Sequence, residues 1–239
     1  MGLKAGIVGL PNVGKSTLFN AITNSHVEAA NYPFATISPN TGVVNVPDER
    51  LKFLSNLFKP ERTIPATVEF YDIAGLVRGA SKGEGLGNQF LAHIRECDAI
   101  VEVVRAFESD DIIHVEGSVD PVRDIEVINL ELVMADLDTV NKRIDKVANK
   151  ARILKDKDSM LEMSILAPIK EALEQGIAAR TVPLTKEQQE YADKNYYLLT
   201  RKPIIYVANV SEDSLADIDD WLSRQEIVIL IRILLLFFG

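Results

Sequence analysis

Gly9-Leu10-Pro11-Asn12-Val13-Gly14-Lys15-Ser16 is the stretch whose reading decides the fold. It has the form Gly, four residues, Gly-Lys-Ser. It lies between an apolar run, Ala5-Gly6-Ile7-Val8, and a segment with apolar residues at helical spacing, Ser16 to Ile22. A strand, a glycine loop and a helix in that order make a phosphate cradle. The glycines let backbone N–H groups turn inward on a polyphosphate, and the helix directs its positive dipole end at the same anion. Asn12, Val13, Gly14 and Thr17 are expected to line the phosphates, Lys15 to reach the β- and γ-phosphates, and the Ser16 hydroxyl to ligate Mg2+. A glycine-rich turn that matches by chance is the alternative, and the motifs further along the chain count against it.

A chain of 239 residues holds one α/β domain plus an insertion, or two small domains. The formal net charge of −9 argues against an all-over nucleic-acid surface, so no DNA partner is expected, although a local basic patch is compatible with it. The single cysteine, Cys97, makes no intrachain disulfide, which suits a reducing compartment. A core strand begins within a few residues of Met1 and leaves no room for a signal peptide, so the expected location is cytoplasmic, away from membranes. Ile227 to Phe238 is an apolar run of twelve residues broken only by Arg232. Spanning a bilayer takes about 20, so the run reads as a buried strand or helix, or as an anomaly.

The segment Asn31 to Asn40, with two prolines and no helical period, reads as a surface loop, and Thr36 within it is the candidate to close over Mg2+ and a γ-phosphate. Strands are expected at Thr41–Val46, Ala66–Tyr71 and Ala99–Val104, and a helix capped by Asp48 at Asp48–Phe58. The second of these strands runs into Asp72-Ile73-Ala74-Gly75. An acidic residue at that strand end can hold Mg2+ through a water, and the N–H of Gly75 can face the γ-phosphate. The glycines between Gly79 and Gly87 suggest a second switch segment. The residue after Gly75 is Leu76, where a water-orienting glutamine is common in related hydrolases, so hydrolysis needs another group or is slow without a partner. His114 is the candidate, against the alternative of an ordinary loop histidine; His26 and His93 are weaker ones.

From Leu130 to Leu154, Leu130, Val133, Leu137, Val140, Ile144, Val147, Ala151 and Leu154 alternate steps of three and four, a heptad seam. A second helix is expected at Ser159–Gln175, stopped by Gly176 and kinked at Pro168, and a third at Lys186–Leu199 behind a Thr185/Gln188 capping box. The first two pair as an antiparallel coiled-coil arm. The arm carries Lys142, Arg143, Lys146, Lys150, Arg152, Lys155 and Lys157, a basic patch that is either an RNA-phosphate contact or a solvated helix face. The expected organisation is a nucleotide domain at 1–131 and 200–239, interrupted by a helical insertion at 132–199.

The sheet resumes at Pro203–Ala208 and ends in Asn209-Val210-Ser211-Glu212. A guanine reader has Asn-Lys-x-Asp here, and its aspartate accepts from guanine N1 and the exocyclic amine. With Val210 and Glu212 in those places the guanine edge is unmatched, while Asn209 and the backbone at Val210 and Ser211 can serve adenine N7 and N6. ATP is therefore the expected nucleotide.

Taken together, Gly9 to Thr17, Asn31-Tyr32-Pro33-Phe34, Asp72-Ile73-Ala74-Gly75-Leu76-Val77 and Asn209-Val210-Ser211-Glu212 resemble the Obg-like ATPase family, also called YchF. The resemblance covers about Met1 to Ala216. It implies a Ras-like P-loop domain, α/β and mostly parallel with helices on both faces, and a Mg2+-dependent, ribosome-associated ATPase linked to translation or stress. It also implies a hydrophobic residue in place of the catalytic glutamine, which Leu76 matches, and a K+ site at Asn12. A regulatory GTPase and a non-catalytic, nucleotide-locked interaction protein are the rival readings. After Ala216 the chain departs from the family, which continues into a small β-rich domain of the TGS type. Asp217 to Gly239 resembles a truncation or an altered reading frame.

Overall fold

The computed structural model of the chain describes residues 2–24, 41–73, 86–109, 111–211 and 229–230. Two compact units emerge. Met1–Ala74, Cys97–Val119 and Ile205–Gly239 form the first, and Gly75–Glu96 with Asp120–Ile204 the second.

The first unit is built on a sheet of six strands in the order β2-β3-β1-β4-β5-β6. Its members are β1 (Leu3–Val8), β2 (Thr41–Asn45), β3 (Thr67–Asp72), β4 (Ala99–Arg105), β5 (Ile204–Asn209) and β6 (Ile229–Leu230). β1 pairs in parallel with both β3 and β4 and β5 with β6, while β2 runs antiparallel to β3. The expected fold class is the one found. Its cause is visible in β1 and β4, near-continuous apolar runs that suit a strand covered on both faces. Ile7, Val8, Ile100, Val103 and Val104 are all at most 1% exposed. α1 (Lys15–Asn24) packs over β1, β2 and β3 and inserts Leu18.

Because β1, β3 and β4 are parallel, the phosphate loop after Val8, Asp72 and the loop after Arg105 leave the sheet at one edge. The Ala106 N–H donates to Asn209 O at 2.7 Å, which brings the end of β5 to that edge as well. Of the apolar run Ile227–Phe238, the described part is β6, a strand laid on β5. α2 (Glu49–Phe58) is capped by Asp48, whose side chain accepts from the Arg50 N–H, yet it buries none of its residues.

The second unit is helical. α3 (Leu86–Glu96) is followed, after the chain has visited the sheet, by α4, which runs unbroken over Pro121–Asn149. Asp120 caps α4 and Pro121 opens it. α4 thus begins at that cap. A π-helical turn at Lys150–Leu154 and a left-handed Lys155 reverse the chain into α5 (Lys157–Glu174). Arg143 of α4 binds Glu162 of α5 at 2.5 and 2.6 Å, so the two helices run back along each other as a hairpin. Val133, Val140 and Val147, seven residues apart, are buried against Ile165, Leu166, Ile169 and Leu173.

The heptad expectation fails at both ends. Leu130 is 54% exposed and Leu154 is 71% exposed. The π turn breaks the 3.6-residue period that kept the seam on one face, so Leu154 rotates outward. α5 continues through Pro168 as one helix and stops at Gly176, whose φ is +76°. The capping box of α6 (Lys186–Asn195) is present, but α6 ends at Asn195 instead of Leu199. The reason is tertiary: the buried carboxylate of Asp136 accepts from the N–H groups of Leu199 and Thr200 and from the Thr200 hydroxyl at 2.6 to 2.9 Å, pulling the chain into a 3-10 turn at Leu199–Arg201.

Candidate nucleotide site

The phosphate loop has the backbone its sequence requires. Gly9 sits where a Cβ would stand 2.4 Å from Val103 O, so β4 approaches too closely for any side chain. Asn12 and Gly14 adopt φ of +62° and +101°. Such left-handed turns, one glycine and one asparagine, re-aim successive N–H groups toward a common centre. Val13 is buried, and Lys15, the first residue of α1, is 8% exposed. The Lys15 Nζ donates to Leu10 O at 2.7 Å, within its own loop. Burial pushes the Lys15 ammonium below its ordinary pKa, and the charge of Asp72 offsets part of that.

Ser16 and Asp72, 56 positions apart, meet: the Ser16 hydroxyl donates to Asp72 Oδ2 at 2.7 Å. A hydroxyl and a carboxylate oxygen at the mouth of a phosphate loop are hard donors that fit Mg2+, which takes few protein ligands and completes its shell with phosphate and water. Thr17, next on α1, is exposed.

Two side chains tie the phosphate loop to its neighbours. Asn209, at the end of β5, donates from Nδ2 to Val13 O at 3.0 Å. Asn12 donates from Nδ2 to Ile113 O at 3.2 Å. Ile113 adjoins His114, which is 8% exposed and accepts the Glu116 N–H at Nδ1 over 3.2 Å. His93 is an exposed residue of α3, in the other unit. Val210 and Ser211 follow β5 half-buried. Thr36, Gly75, Leu76, His26 and Glu212 lie outside the described residues. Arg105, whose guanidinium shapes the loop leading to His114, was not marked by any motif; the available signal was a charged residue closing a strand that is apolar but for Glu102.

The family profile described as "50S ribosome-binding GTPase" matches residues 4–150, the phosphate loop, Asp72 and the β4 loop included. The chain belongs to that family. Within it, the sequence is 61% identical over 217 residues to the protein called ribosome-binding ATPase YchF from Bacillus subtilis, covering 91% of this chain and 59% of that protein. It is 57% identical over 213 residues to the protein of the same name from Escherichia coli O157:H7, covering 89% and 58%. The fold is similar to a solved structure, the Schizosaccharomyces pombe YchF GTPase, with a TM-score of 0.79 and 41% identity over 97% of this chain and 66% of that one. The resemblance to the Obg-like ATPases therefore holds over the nucleotide site. The chain spans 58–59% of the length of the two bacterial relatives and about two thirds of the S. pombe chain. No helix among the described residues is long and apolar enough to cross a membrane.

On the arm, the basic patch is smaller than its sequence suggests. Lys142, itself exposed, pairs with Asp138 at 2.6 Å, and the half-exposed Arg143 is held by Glu162 across the hairpin. Lys146, Lys150, Arg152, Lys155 and Lys157 are exposed.

Proposed function

We propose that this chain is the nucleotide-hydrolysing part of a ribosome-associated regulator of translation or stress response, converting ATP and water to ADP and phosphate with Mg2+. The observation that carries the reading is the meeting of Ser16 and Asp72 beside Lys15, which places two hard oxygen donors and a cation at the opening of a phosphate loop. Mg2+ held by Ser16, by Asp72 through a water and by Thr36 would neutralise charge on the β- and γ-phosphates. Lys15 leaves Leu10 O for the γ-phosphate, and the backbone N–H groups of Val13 to Thr17 and of Gly75 stabilise the charge that develops as the terminal phosphorus parts from its bridging oxygen.

With Leu76 unable to orient water, His114 takes that part. Its Nδ1 accepts a backbone N–H, which assigns the proton of the neutral ring to Nε2. The ring so held is a donor, suited to orienting water or a phosphate oxygen rather than to removing a proton.

Adenine is supported by the state of Asn209. One N–H of its Nδ2 is engaged by Val13 O, leaving one N–H and Oδ1, the pair that adenine N7 and N6 require. No lysine or aspartate stands at 210 or 212 to read guanine. Asn12 is left with Oδ1 as the oxygen it offers to K+. The helical segment 132–199 is read as an insertion in the nucleotide domain. Its exposed lysines and Arg152 are the surface offered to ribosomal RNA, and the relatives named ribosome-binding support that partner.

The deciding experiment is a competition of ATP and GTP for the purified chain, followed by single-turnover hydrolysis in Mg2+ with K+ or Na+. ATP binding at least about tenfold tighter, with turnover above that of Lys15→Ala, is expected. Tighter GTP binding would make the chain a GTPase, as the S. pombe structure is called, and binding without turnover would make it a nucleotide-locked scaffold.

A further inference from the structure

Arg105 closes β4 and is 1% exposed, the bulkiest fully buried side chain among the described residues. Its guanidinium donates from Nε to Phe107 O at 2.9 Å, from Nη1 to Ile112 O at 2.8 Å and from Nη2 to Ser109 O at 3.2 Å, and its Cζ lies 4.6 Å from the centroid of the Phe107 ring. Three carbonyls of one loop converge on one planar cation. A guanidinium does this and an ammonium does not, because its N–H groups are set in a rigid fork. Burying a cation against carbonyls is an expensive way to fill space that a leucine or methionine would fill more cheaply. The return is the shape of the loop.

That loop has two consequences at the nucleotide site. The residue after Ile112 is Ile113, whose carbonyl accepts from Asn12 of the phosphate loop, and the next is His114. Beyond them the chain closes on itself, with the Gly117 N–H on His114 O at 3.0 Å and the Glu116 N–H on the ring. The guanidinium therefore ends its grip one residue before the carbonyl that meets the phosphate loop and two before the histidine.

We propose that Arg105 is a positioning residue for hydrolysis, holding residues 106–109 and 111–114 so that Ile113 docks on Asn12 and His114 keeps its Nε2–H form beside the phosphate loop. The catalytic half of this rests on His114 acting in turnover; the geometric half does not.

The test compares Arg105→Lys, Arg105→Met, His114→Ala and the double variant Arg105→Met/His114→Ala with the full chain, and uses Leu132→Ala as a core-destabilised control. Side-chain 15N spectra report the His114 ring, assigned by its loss in His114→Ala. Nucleotide titration and single-turnover assays report binding and chemistry. Expected in both Arg105 variants are an ATP Kd within about twofold of the parent, turnover lowered by about tenfold to a hundredfold, and His114 nitrogen signals moved from the Nε2–H pattern toward an averaged one. The double variant should be no slower than His114→Ala, and Leu132→Ala should melt earlier while keeping the parent's signals and turnover. Unchanged His114 signals in a folded Arg105 variant, or losses that multiply in the double variant, overturn the proposal. Should Arg105→Met not fold, Arg105→Lys gives the same readings. A parent chain that turns over no faster than Lys15→Ala would remove the hydrolase reading, and the nitrogen signals would still decide whether Arg105 sets the loop.

Discussion

Gly9 and Lys15 show how little freedom the phosphate loop allows. A Cβ at Gly9 would also stand 2.9 Å from Val13 Cγ2, so relief requires movement of β4 or of the loop itself. Gly9→Ala is expected to lower stability by about 1–3 kcal/mol, read as a lower urea midpoint at constant slope. A midpoint equal to the parent's would mean that the close approach of β4 yields freely. Lys15 is different in kind. Among the described residues its anchor is the carbonyl of Leu10, and burial already disfavours its charge, so the fold gains little from it. Lys15→Ala should abolish triphosphate-dependent binding in a fluorescent-nucleotide titration with no loss in melting temperature. Retained affinity would refute the phosphate assignment.

Among the elements, α4 and α5 each carry a carboxylate that anchors a neighbouring element, and the two respond to their surroundings in opposite ways. Asp136 is 1% exposed, and its burial pushes its pKa up against the hydrogen bonds from Thr200 and Leu199 that draw it down. Asp136→Ala leaves two buried N–H groups without their acceptor and should cost about 2–4 kcal/mol, seen as earlier melting with loss of protection at the amides of Leu199 and Thr200. Protection at the parent's level would show that water replaces the carboxylate. In Glu162 the hydrogen bonds from Arg143 hold the carboxyl below its ordinary value of 4.5, with burial opposing. A depressed folded pKa means that the stabilisation is complete above 4.5 and is lost as the pH falls through the lower folded value. Urea midpoints should therefore drop between pH 5 and pH 3 more steeply for the parent than for Glu162→Gln; parallel curves would remove the ion pair from the acid limb.

Across the whole molecule the charges are unevenly used. The net charge of −9 leaves the exposed Lys146, Lys150 and Arg152 of the arm as a local exception. Replacing all three with glutamate is expected to weaken ribosome association and to flatten its dependence on salt, as sedimentation over a range of KCl would show, because phosphate contacts release counterions. Association of unchanged strength and slope would return these residues to plain solvation. α2 carries the opposite kind of surface, with Phe53, Leu57 and Phe58 between 61% and 73% exposed. Its cap and periodicity were readable from the residues alone, but its lack of burial was not, since an amphipathic pattern states which face is apolar and not whether anything covers it.

What the sequence determined by itself was local or carried by residue type. The strand, glycine loop and helix of residues 3–24, the Asp48 and Thr185 caps and the apolar runs of β1 and β4 follow from short-range sterics and hydrogen bonding, and they sufficed for the fold class. Contacts over long separations were settled only by tertiary structure. Asp136 ends α6 early from 63 positions away, Glu162 withdraws Arg143 from the basic patch, and Asn209 reaches Val13 across 196 positions. Arg105 belongs with these. A charged residue at the end of a mostly apolar strand reads as a boundary, and only the folded loop reveals that three carbonyls close on it. The physical reason is common to all four: a buried polar group takes whichever partner the packed chain delivers, and one-dimensional spacing does not encode that delivery.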